Sequence, residues 1–303
     1  MKILLLGGNG QLGIELRRRL NSVADVVIGT RDGRLIEGGI CETADFLYPE
    51  TLPAVIERIA PDVVINAAAY TAVDRAEDDT GAAYRINAEA PGVLADACHD
   101  RDILLVHYST DYVFDGTASH PYHEDDPPAP LSVYGASKWA GETAIRNADG
   151  RHLILRTAWV YAAHGHNFLR TILRLSAERE ELRIVSDQIG TPTSTALIAD
   201  ITTRALTERT LAVGTYHLTA GGQSSWYEFA EAIVTGAVER KILPHSPRLV
   251  PIATTDYPTR AHRPGYSLLD ITKIAAVMQE TMIHWRKDLA HVLDEIQSHK
   301  AMQ

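Results

Sequence analysis

The sequence contains few of the residues that mark several classes of protein. Its 303 residues include two cysteines, Cys41 and Cys98, which are too few for a disulfide framework and lack the spacing of metal ligands. No apolar run approaches the roughly 20 residues that a membrane-spanning helix needs, so a membrane protein is not expected. We therefore expect a soluble protein from a reducing, cytoplasmic compartment.

Basic residues are also scarce relative to acidic ones. The chain has 29 Lys and Arg against 39 Asp and Glu, which gives a formal net charge of −10. Proteins that bind nucleic acid need a basic surface, so nucleic acid is not an expected partner. An anionic small molecule remains compatible with this charge, because local cations and backbone N–H groups can hold it.

The first half of the chain alternates short apolar runs with segments of helical spacing. The apolar runs lack clean alternation, as is typical of strands buried on both faces of a parallel sheet. The pattern predicts an α/β fold with a Rossmann-type doubly wound parallel sheet. Strands are expected at residues 2–7, 25–30, 62–68, 102–109 and 152–160, and helices at 11–20, 50–60, 80–100 and 134–147.

After about residue 160 the pattern loosens. Pro- and Gly-bearing stretches at 187–194 and 257–266 are expected to be loops that line a cleft. We predict a dinucleotide-binding Rossmann domain over 1–160, to which later segments can return, and a smaller mixed α/β substrate-binding domain over 161–303. Helices are expected here at 167–182, 197–209 and 224–239, and short strands at 182–185, 214–219 and 248–252.

A glycine-rich turn joins the first predicted strand to the first predicted helix. In "LLLGGNGQLGIEL" the glycines Gly7, Gly10 and Gly13 have the spacing GxxGxxG. Such glycines permit a tight turn and let backbone N–H groups approach a pyrophosphate at the positive end of the helix. The alternative is a generic strand-to-helix turn, but the position at the first strand of an α/β chain favours phosphate binding.

The end of the second predicted strand bears on the choice of cofactor. A site that prefers NAD usually has Asp or Glu there, whereas this chain has Thr30 and Arg31. Arg31 either pairs with a 2′-phosphate, which would favour NADPH, or is a solvated loop charge. The small residues Ala67, Ala68 and Ala69 follow the third strand and either admit a nucleotide or simply pack.

A tyrosine and a lysine lie one helical turn apart in "SVYGASKWAGE". Tyr134 and Lys138 are spaced i, i+4 and therefore project from one face of a helix. A neighbouring ammonium would favour the phenolate and lower the pKa of Tyr134 from its usual value near 10. Thr110 ends the fourth strand, at the edge where open α/β sheets bind ligands. A Tyr-x-x-x-Lys pair is common by chance, but the glycine turn and the Ser-Thr strand end favour a catalytic role.

Seven motifs together resemble the dTDP-4-dehydrorhamnose reductase family, within the extended short-chain dehydrogenase/reductase superfamily. They follow the family's order across nearly the whole chain. "HYSTDYVFDG" and "DQIGTPT" are more specific than the glycine turn, which the whole superfamily shares. The motifs are "GGNGQLG" (7–13), "NAAAYTAVDRAE" (66–77), "HYSTDYVFDG" (107–116), "VYGASKWAGE" (133–142), "LRTAWVY" (155–161), "DQIGTPT" (187–193) and "YPTRAHRP" (257–264).

The resemblance implies reduction of the C4 keto group of dTDP-4-dehydro-L-rhamnose by NADPH, with NADH left open. It makes Tyr134 the proton donor, Lys138 its partner and Thr110 the third catalytic residue. It also assigns substrate contacts to Thr110, Asp111, Trp159 and Arg263. Arg260 and His262 are rivals for the role of Arg263. The alternative for Trp159 is a core aromatic residue. Cofactor contacts are expected at Gly7, Gly10, Gln11, Leu12, Gly13, Thr30, Arg31, Asp45, Phe46, Ala67, Ala68, Ala69, Tyr134 and Lys138.

The sequence also departs from this family. Several relatives have an acidic residue where Thr30-Arg31 stands, and some hold magnesium through glutamates at a dimer contact. Glu15 matches one such glutamate, but Ala196 stands where another acid is needed. We therefore expect no tightly held metal, and a homodimer stays open.

Two rival functions remain. One is reduction of another dTDP-4-keto-6-deoxysugar. The other is a non-catalytic dinucleotide-binding regulatory subunit, which would be expected to lose Tyr134 or Lys138, whereas this chain retains both.

Overall fold

The computed structural model describes residues 1–208 and 210–301, and a seven-stranded sheet dominates it. The strands are β1 (Lys2–Leu6), β2 (Asp25–Thr30), β3 (Glu42–Thr43), β4 (Val63–Asn66), β5 (Leu104–Thr110), β6 (His152–Thr157), β7 (Val160–Tyr161), β8 (Glu181–Val185), β9 (Ile189–Gly190), β10 (Thr193–Ser194), β11 (Gly214–His217), β12 (Ser224–Ser225) and β13 (Arg248–Ile252). The large sheet has the order β11-β6-β5-β4-β1-β2-β3, and all its pairs are parallel. The predicted Rossmann-type sheet is confirmed.

Eleven α-helices lie in the described part of the chain, and a π-helical turn at Arg85–Glu89 joins two of them. Three short 3₁₀ turns occur at Pro49–Thr51, Asp111–Val113 and Thr254–Asp256. The helices are α1 (Gln11–Leu20), α2 (Leu52–Ile59), α3 (Val73–Ala76), α4 (Thr80–Tyr84), α5 (Ala90–His99), α6 (Val133–Asn147), α7 (Phe168–Glu178), α8 (Thr195–Glu208), α9 (Trp226–Glu239), α10 (Thr272–Met278) and α11 (Trp285–Ala301).

Helices cover both faces of the large sheet, which explains why its strands are apolar throughout. On one face, Leu16 of α1 and Ile198 of α8 pack in a buried cluster against the strands. On the other face, Ile56 of α2, Leu94 of α5 and Ile145 of α6 form a second cluster. Parallel strands buried on both sides cannot alternate apolar and polar residues, because both sets of side chains leave water.

A third apolar cluster lies in the second half of the chain. It joins α7, α9 and α11 through residues such as Ile172, Phe229 and Leu289. Helix α9 begins with a capping box between Ser225 and Glu228. Residues 161–303 also supply β11, which pairs with β6 in the large sheet. The division of the chain at residue 160 stays a prediction.

The carboxyl ends of β1 and β4 mark the point where the strand order reverses. From β1 the chain runs outward to β2 and β3, and it then returns to β4 on the other side. Open α/β sheets bind ligands in the crevice at such a point. Among the residues described, none of the helices is long and apolar enough to cross a bilayer.

Candidate active site

Helix α6 carries two of the predicted catalytic residues and begins beside the end of β5. Ser132 caps the helix, accepting a hydrogen bond from the N–H of Gly135 at 3.1 Å. An added Cβ at Gly135 would collide with the carbonyl oxygen of Tyr112. Glycine at this position therefore lets the first turn of α6 approach the segment that follows β5, and this approach brings Tyr134 to Thr110.

The hydroxyl of Thr110 lies next to that of Tyr134 at the carboxyl end of β5. Thr110 also donates to Asp111 Oδ1 at 3.0 Å and accepts from the N–H of Tyr112 at 3.2 Å. Burial raises the pKa of Asp111 to about 7, and the nearby hydroxyls of Ser267 and Thr110 oppose this shift. The carboxyl end of β5 thus holds a hydroxyl, a phenol and a carboxyl group in contact.

The electrostatics of Tyr134 differ from the sequence-based expectation. Burial raises the pKa of Tyr134 to about 12, while the neighbouring Thr110 hydroxyl lowers it less and the charge of Asp111 raises it further. Lys138 does not contribute to this shift. The expectation that its ammonium lowers the pKa of Tyr134 is therefore wrong. A phenol with this pKa is protonated at neutral pH, which is the form that a proton donor requires.

Lys138 lies deeper in the helix–sheet interface than Tyr134. Its Nζ donates to the carbonyl oxygen of Tyr108 at 2.6 Å and lies 3.2 Å from His107 Nε2. Burial lowers the pKa of Lys138 to about 8, and the charge of Glu142 opposes this shift. Glu142 is itself buried and ion-paired with Arg156 at 2.8 Å, so its charge is already balanced.

The glycine turn has the geometry of an anion site. Gly7 has φ +81°, and a Cβ there would lie 2.6 Å from the N atom of Ala68. Gly10 caps α1 without a side-chain hydrogen bond, and the first turn contains no acidic residue. The N–H groups of Gln11 and Leu12 therefore belong to a helix N-terminus whose positive end fits a pyrophosphate.

The side chain of Gln11 links α1 to the segment before α7. Its Nε2 donates to the carbonyl of His166 at 3.0 Å, and its Oε1 accepts from Asn167 Nδ2 at 2.6 Å. An added Cβ at Gly13 would collide with the carbonyl oxygen of Gly7. The turn is thus packed on both sides, and Gln11 has its backbone N–H to offer a dinucleotide.

The residues expected around the adenosine half occupy different surroundings. Thr30 is buried and accepts from the N–H of Arg34 at 3.1 Å, whereas Arg31 is exposed. Asp45 Oδ1 accepts from the N–H of Leu47 at 3.0 Å. Phe46 is 5% exposed and packs in the core, so its side chain supports the sheet. The carboxyl end of β4 leads into the partly exposed residues Ala67, Ala68 and Ala69, which border the glycine turn.

Trp159 has an unusual backbone and stacks on a second tryptophan. Its φ is +46°, a conformation that is strained for a bulky residue and that clusters at functional sites. Its ring centroid lies 3.6 Å from that of Trp226, with 5° between the planes. Trp226 in turn donates from Nε1 to Gln188 Oε1 at 3.1 Å. Both rings are partly exposed.

Arg263 is connected to the segment that follows Thr110. Its two terminal nitrogens donate to the carboxylate of Asp74 at 3.1 and 2.6 Å, and its guanidinium lies near the hydroxyl of Tyr112. Arg260, the rival, forms an ion pair with Asp78, and His262 is exposed. Among the three, Arg263 is the residue that lies near Tyr112.

Sequence reasoning missed four residues that the structure places in this region: Asn66, Asp74, His107 and Tyr112. Asn66 and His107 are each 1% exposed. A polar side chain within an aliphatic strand such as "LLVHY" could have drawn attention to them, because buried polar groups need partners. Asp74 carried no such signal, since its partner Arg263 is distant in sequence.

Glu15, the position compared above with a magnesium ligand, contacts a basic residue. It accepts from Arg18 at 2.9 Å, and Arg18 also donates to Glu295 at 2.9 Å. Within residues 1–208 and 210–301 there is no group of three or more His, Cys, Asp or Glu that could hold a metal ion.

The family model described as the RmlD substrate binding domain matches residues 1–298. The dTDP-4-dehydrorhamnose reductase of Burkholderia thailandensis is 51% identical over 280 residues, which cover 89% of this chain and 90% of that protein. This chain belongs to the dTDP-4-dehydrorhamnose reductase family. The reductase of Escherichia coli K12 is 39% identical over 302 residues, covering 98% of both chains.

Solved structures support the same family. The dTDP-4-dehydrorhamnose reductase of Bacillus anthracis, described in complex with NADP, has a TM-score of 0.87 and 33% identity over 97% of this chain and 99% of its own. A UDP-glucose 4-epimerase of Thermus thermophilus in complex with NAD has a TM-score of 0.80 at 19% identity, covering 98% of this chain and 99% of its own, which shows the shared fold.

Proposed function

We propose that this chain reduces the C4 keto group of dTDP-4-dehydro-L-rhamnose to give dTDP-L-rhamnose in an NADPH-dependent reaction. The observation that carries the proposal is the placement of the Thr110 and Tyr134 hydroxyls side by side, where β5 ends and α6 begins. In a family of reductases, this pair is where a keto oxygen gains its proton. Bound NADPH supplies the hydride that ends on C4.

The glycine turn is the part of the chain that would hold the dinucleotide. The N–H groups at the start of α1 point out of a helix end that has no acidic residue and no side-chain cap, so they can bind the pyrophosphate. Arg31 is exposed at the end of β2, where it can reach a 2′-phosphate. Lys138 and Tyr134 complete the cofactor side of the site.

Tyr134 is the proton donor in this proposal. Its raised pKa keeps the phenol protonated until the keto oxygen acquires negative charge. Thr110 then stabilises the developing charge with a hydrogen bond that is stronger to an oxyanion than to a ketone. Both interactions act more strongly on the transition state than on the bound substrate, and this difference lowers the barrier.

The nucleotide sugar would lie between the catalytic pair and the second half of the chain. Trp159 offers an apolar ring face for the deoxysugar, and its stack on Trp226 fixes the orientation of that ring. Arg263 offers a guanidinium for the diphosphate. Its pairing with Asp74 means that the diphosphate has to share or displace that carboxylate.

The test is a panel of dTDP- and UDP-linked 4-keto-6-deoxysugars, each offered with NADPH and with NADH. Loss of nicotinamide absorbance measures turnover, and NMR of the product gives the configuration at C4. We expect dTDP-4-dehydro-L-rhamnose with NADPH to give the highest kcat/KM. A higher value for another keto sugar would replace the proposed substrate, and no turnover with any sugar would support a regulatory subunit instead.

A further inference from the structure

A chain of buried hydrogen bonds runs beneath Lys138 and begins at the end of β4. Asn66 Nδ2 lies 3.0 Å from His107 Nδ1, and His107 Nε2 lies 3.2 Å from Lys138 Nζ. The three side chains are between 1% and 2% exposed. Water does not reach these groups, so each one depends on its protein partners for hydrogen bonding.

The orientation of the Asn66 amide fixes the direction of this chain. The backbone N–H of Ala68 donates to Asn66 Oδ1 at 3.0 Å, so the oxygen faces Ala68 and the NH₂ group faces His107. An NH₂ group donates only. His107 Nδ1 therefore accepts this hydrogen bond and carries no proton.

The proton of a neutral His107 is then on Nε2, which faces Lys138. Burial holds the pKa of His107 well below its usual value, so the ring is neutral. If Lys138 were an ammonium ion, an N–H of the ring would point at a group with no lone pair. The neutral amine has one lone pair and can still donate to the carbonyl of Tyr108 at 2.6 Å.

We propose that His107 is a positioning residue that donates from Nε2 to Lys138 Nζ and thereby opposes the ammonium form of this lysine. Asn66 sets this direction by holding the ring in the Nε2–H form. The hydrogen-bond direction stands on geometry alone, whereas its meaning for catalysis rests on the proposed reduction. The hydrogen bond from His107 makes Lys138 a group that binds and releases a proton in the working pH range, in place of a fixed cation.

The other groups around Lys138 fit this assignment. Glu142 on the same helix favours the ammonium form, but it is paired with Arg156 from β6 and with Arg146. Tyr134 lies one turn earlier on α6 and is protonated at neutral pH. Strand β5 contributes His107 and the carbonyl of Tyr108, and β4 contributes the uncharged Asn66.

Histidine NMR tests the direction of the chain without any measurement of activity. In protein with ¹⁵N-labelled histidine, long-range correlation spectra report which ring nitrogen carries the proton. We expect His107 to be protonated on Nε2, and a His107→Gln variant assigns its signals. His217 is the internal control, because its Nδ1 donates to the carbonyl of Asp270 at 3.1 Å and should show the opposite form. A proton on Nδ1 of His107, or on both nitrogens, overturns the proposal.

Lysine NMR tests the consequence for Lys138. The chain has six lysines, so the ¹³Cε signals can be titrated individually. In Asn66→Asp, one carboxylate oxygen still accepts from the N–H of Ala68, and the other can only accept from His107. The ring proton should therefore move to Nδ1, which leaves Nε2 free to accept from the ammonium form of Lys138. We expect the Lys138 midpoint to rise by about one pH unit while the other five stay unchanged.

The outcomes separate this proposal from the proposed function. If the ring proton of His107 moves to Nδ1 in Asn66→Asp but the titration midpoint of Lys138 stays unchanged, the proposed effect of His107 on the protonation of Lys138 is overturned. If the Asn66→Asp variant fails to fold, the histidine spectrum and the Lys138 midpoint of the unaltered chain still decide. That midpoint must then lie below those of the other five lysines. If the unaltered chain shows the expected proton positions but reduces no keto sugar, the proposed function fails and the hydrogen-bond chain stands.

Discussion

Trp226 holds Trp159 in a parallel stack, with 3.6 Å between ring centroids, although the backbone of Trp159 has φ +46°. A left-handed backbone is costly for a large side chain and persists only where the surroundings fix it. Gly190 lies against the indole of Trp159, where an added Cβ would come within 2.6 Å of its Cε2. The ring therefore contacts both Gly190 and Trp226, and its position depends on both.

Replacing Trp226 should weaken substrate binding more than it slows the chemical step. We expect Trp226→Ala to raise KM for the nucleotide sugar about tenfold, equivalent to the stacking energy of about 1.4 kcal/mol, with a smaller effect on kcat. Trp226→Phe keeps an aromatic face and should restore most of the KM. If both variants lowered kcat by the same factor as they raised KM, a role of Trp226 in holding Trp159 would be contradicted.

Removing the phenol of Tyr134 should remove most turnover. Without a proton donor at the keto oxygen, Tyr134→Phe should lower kcat about 100-fold or more, while the dissociation constant for NADPH changes little. Tyr216→Phe is the control, because that hydroxyl bonds the carbonyl of Ala212 and has no contact with the catalytic pair. Normal turnover in Tyr134→Phe would reject the assigned donor.

Replacing Arg31 should distinguish between the two nicotinamide cofactors. Arg31→Ala should weaken NADPH binding about tenfold, because a charged hydrogen bond to the 2′-phosphate is lost, and should leave NADH binding nearly unchanged. Arg58→Ala is the matched control, since Arg58 lies on α2 in an exposed ion pair with Glu42. The measurement is a fluorescence titration with each cofactor, and equal weakening of both would show that Arg31 does not contact the phosphate.

Two glycines of the first hundred residues should respond in opposite directions to alanine. Gly13→Ala places a methyl group against the carbonyl of Gly7 and should cost about 1–3 kcal/mol of unfolding free energy, together with NADPH affinity. Gly81→Ala on α4 meets nothing within 4 Å and should be neutral or stabilising by up to about 1 kcal/mol. Urea unfolding of both variants makes the comparison.

Asp111 should make the fold less stable as pH rises. Its pKa in the folded chain is raised from 3.8 to about 7 by burial, so the native state holds its proton more tightly than the unfolded chain does. The resulting loss of stability is absent below about pH 4, grows up to about pH 7 and then levels off. Asp111→Asn removes this dependence. The difference in unfolding free energy between variant and parent should therefore change by a few kcal/mol over this window, and a flat difference would contradict the raised pKa.

The sequence predicted the sheet well because a buried parallel strand has a distinctive pattern. Strand β2 and helix α1 have the predicted bounds, 25–30 and 11–20. Helix α7 ends at Glu178, short of the predicted 182, because residues 181–185 form β8 against β13. Helix α11 was missed although Leu289, Val292 and Ile296 have helical spacing, which a complete periodicity scan of the last 30 residues would detect.

The sequence indicated which side chains share a helix face or a strand end, but not the contacts that they make. The spacing of Tyr134 and Lys138 shows that they share a helix face, but it cannot show which group each one meets. The partners of Lys138 come from β5, and their approach depends on how closely α6 packs on the sheet. Likewise, nothing local indicates that Arg263 meets Asp74, because 189 residues separate them.

Strand β11 has a consequence for any attempt to divide this chain. It forms the edge of the large sheet beside β6 and is supplied by residues 214–217. A fragment that stops at residue 160 would leave the backbone N–H and C=O groups of β6 along one side open to pairing with a neighbouring molecule. Such a truncated product is expected to self-associate, so residues 1–160 alone are not a self-sufficient scaffold for engineering.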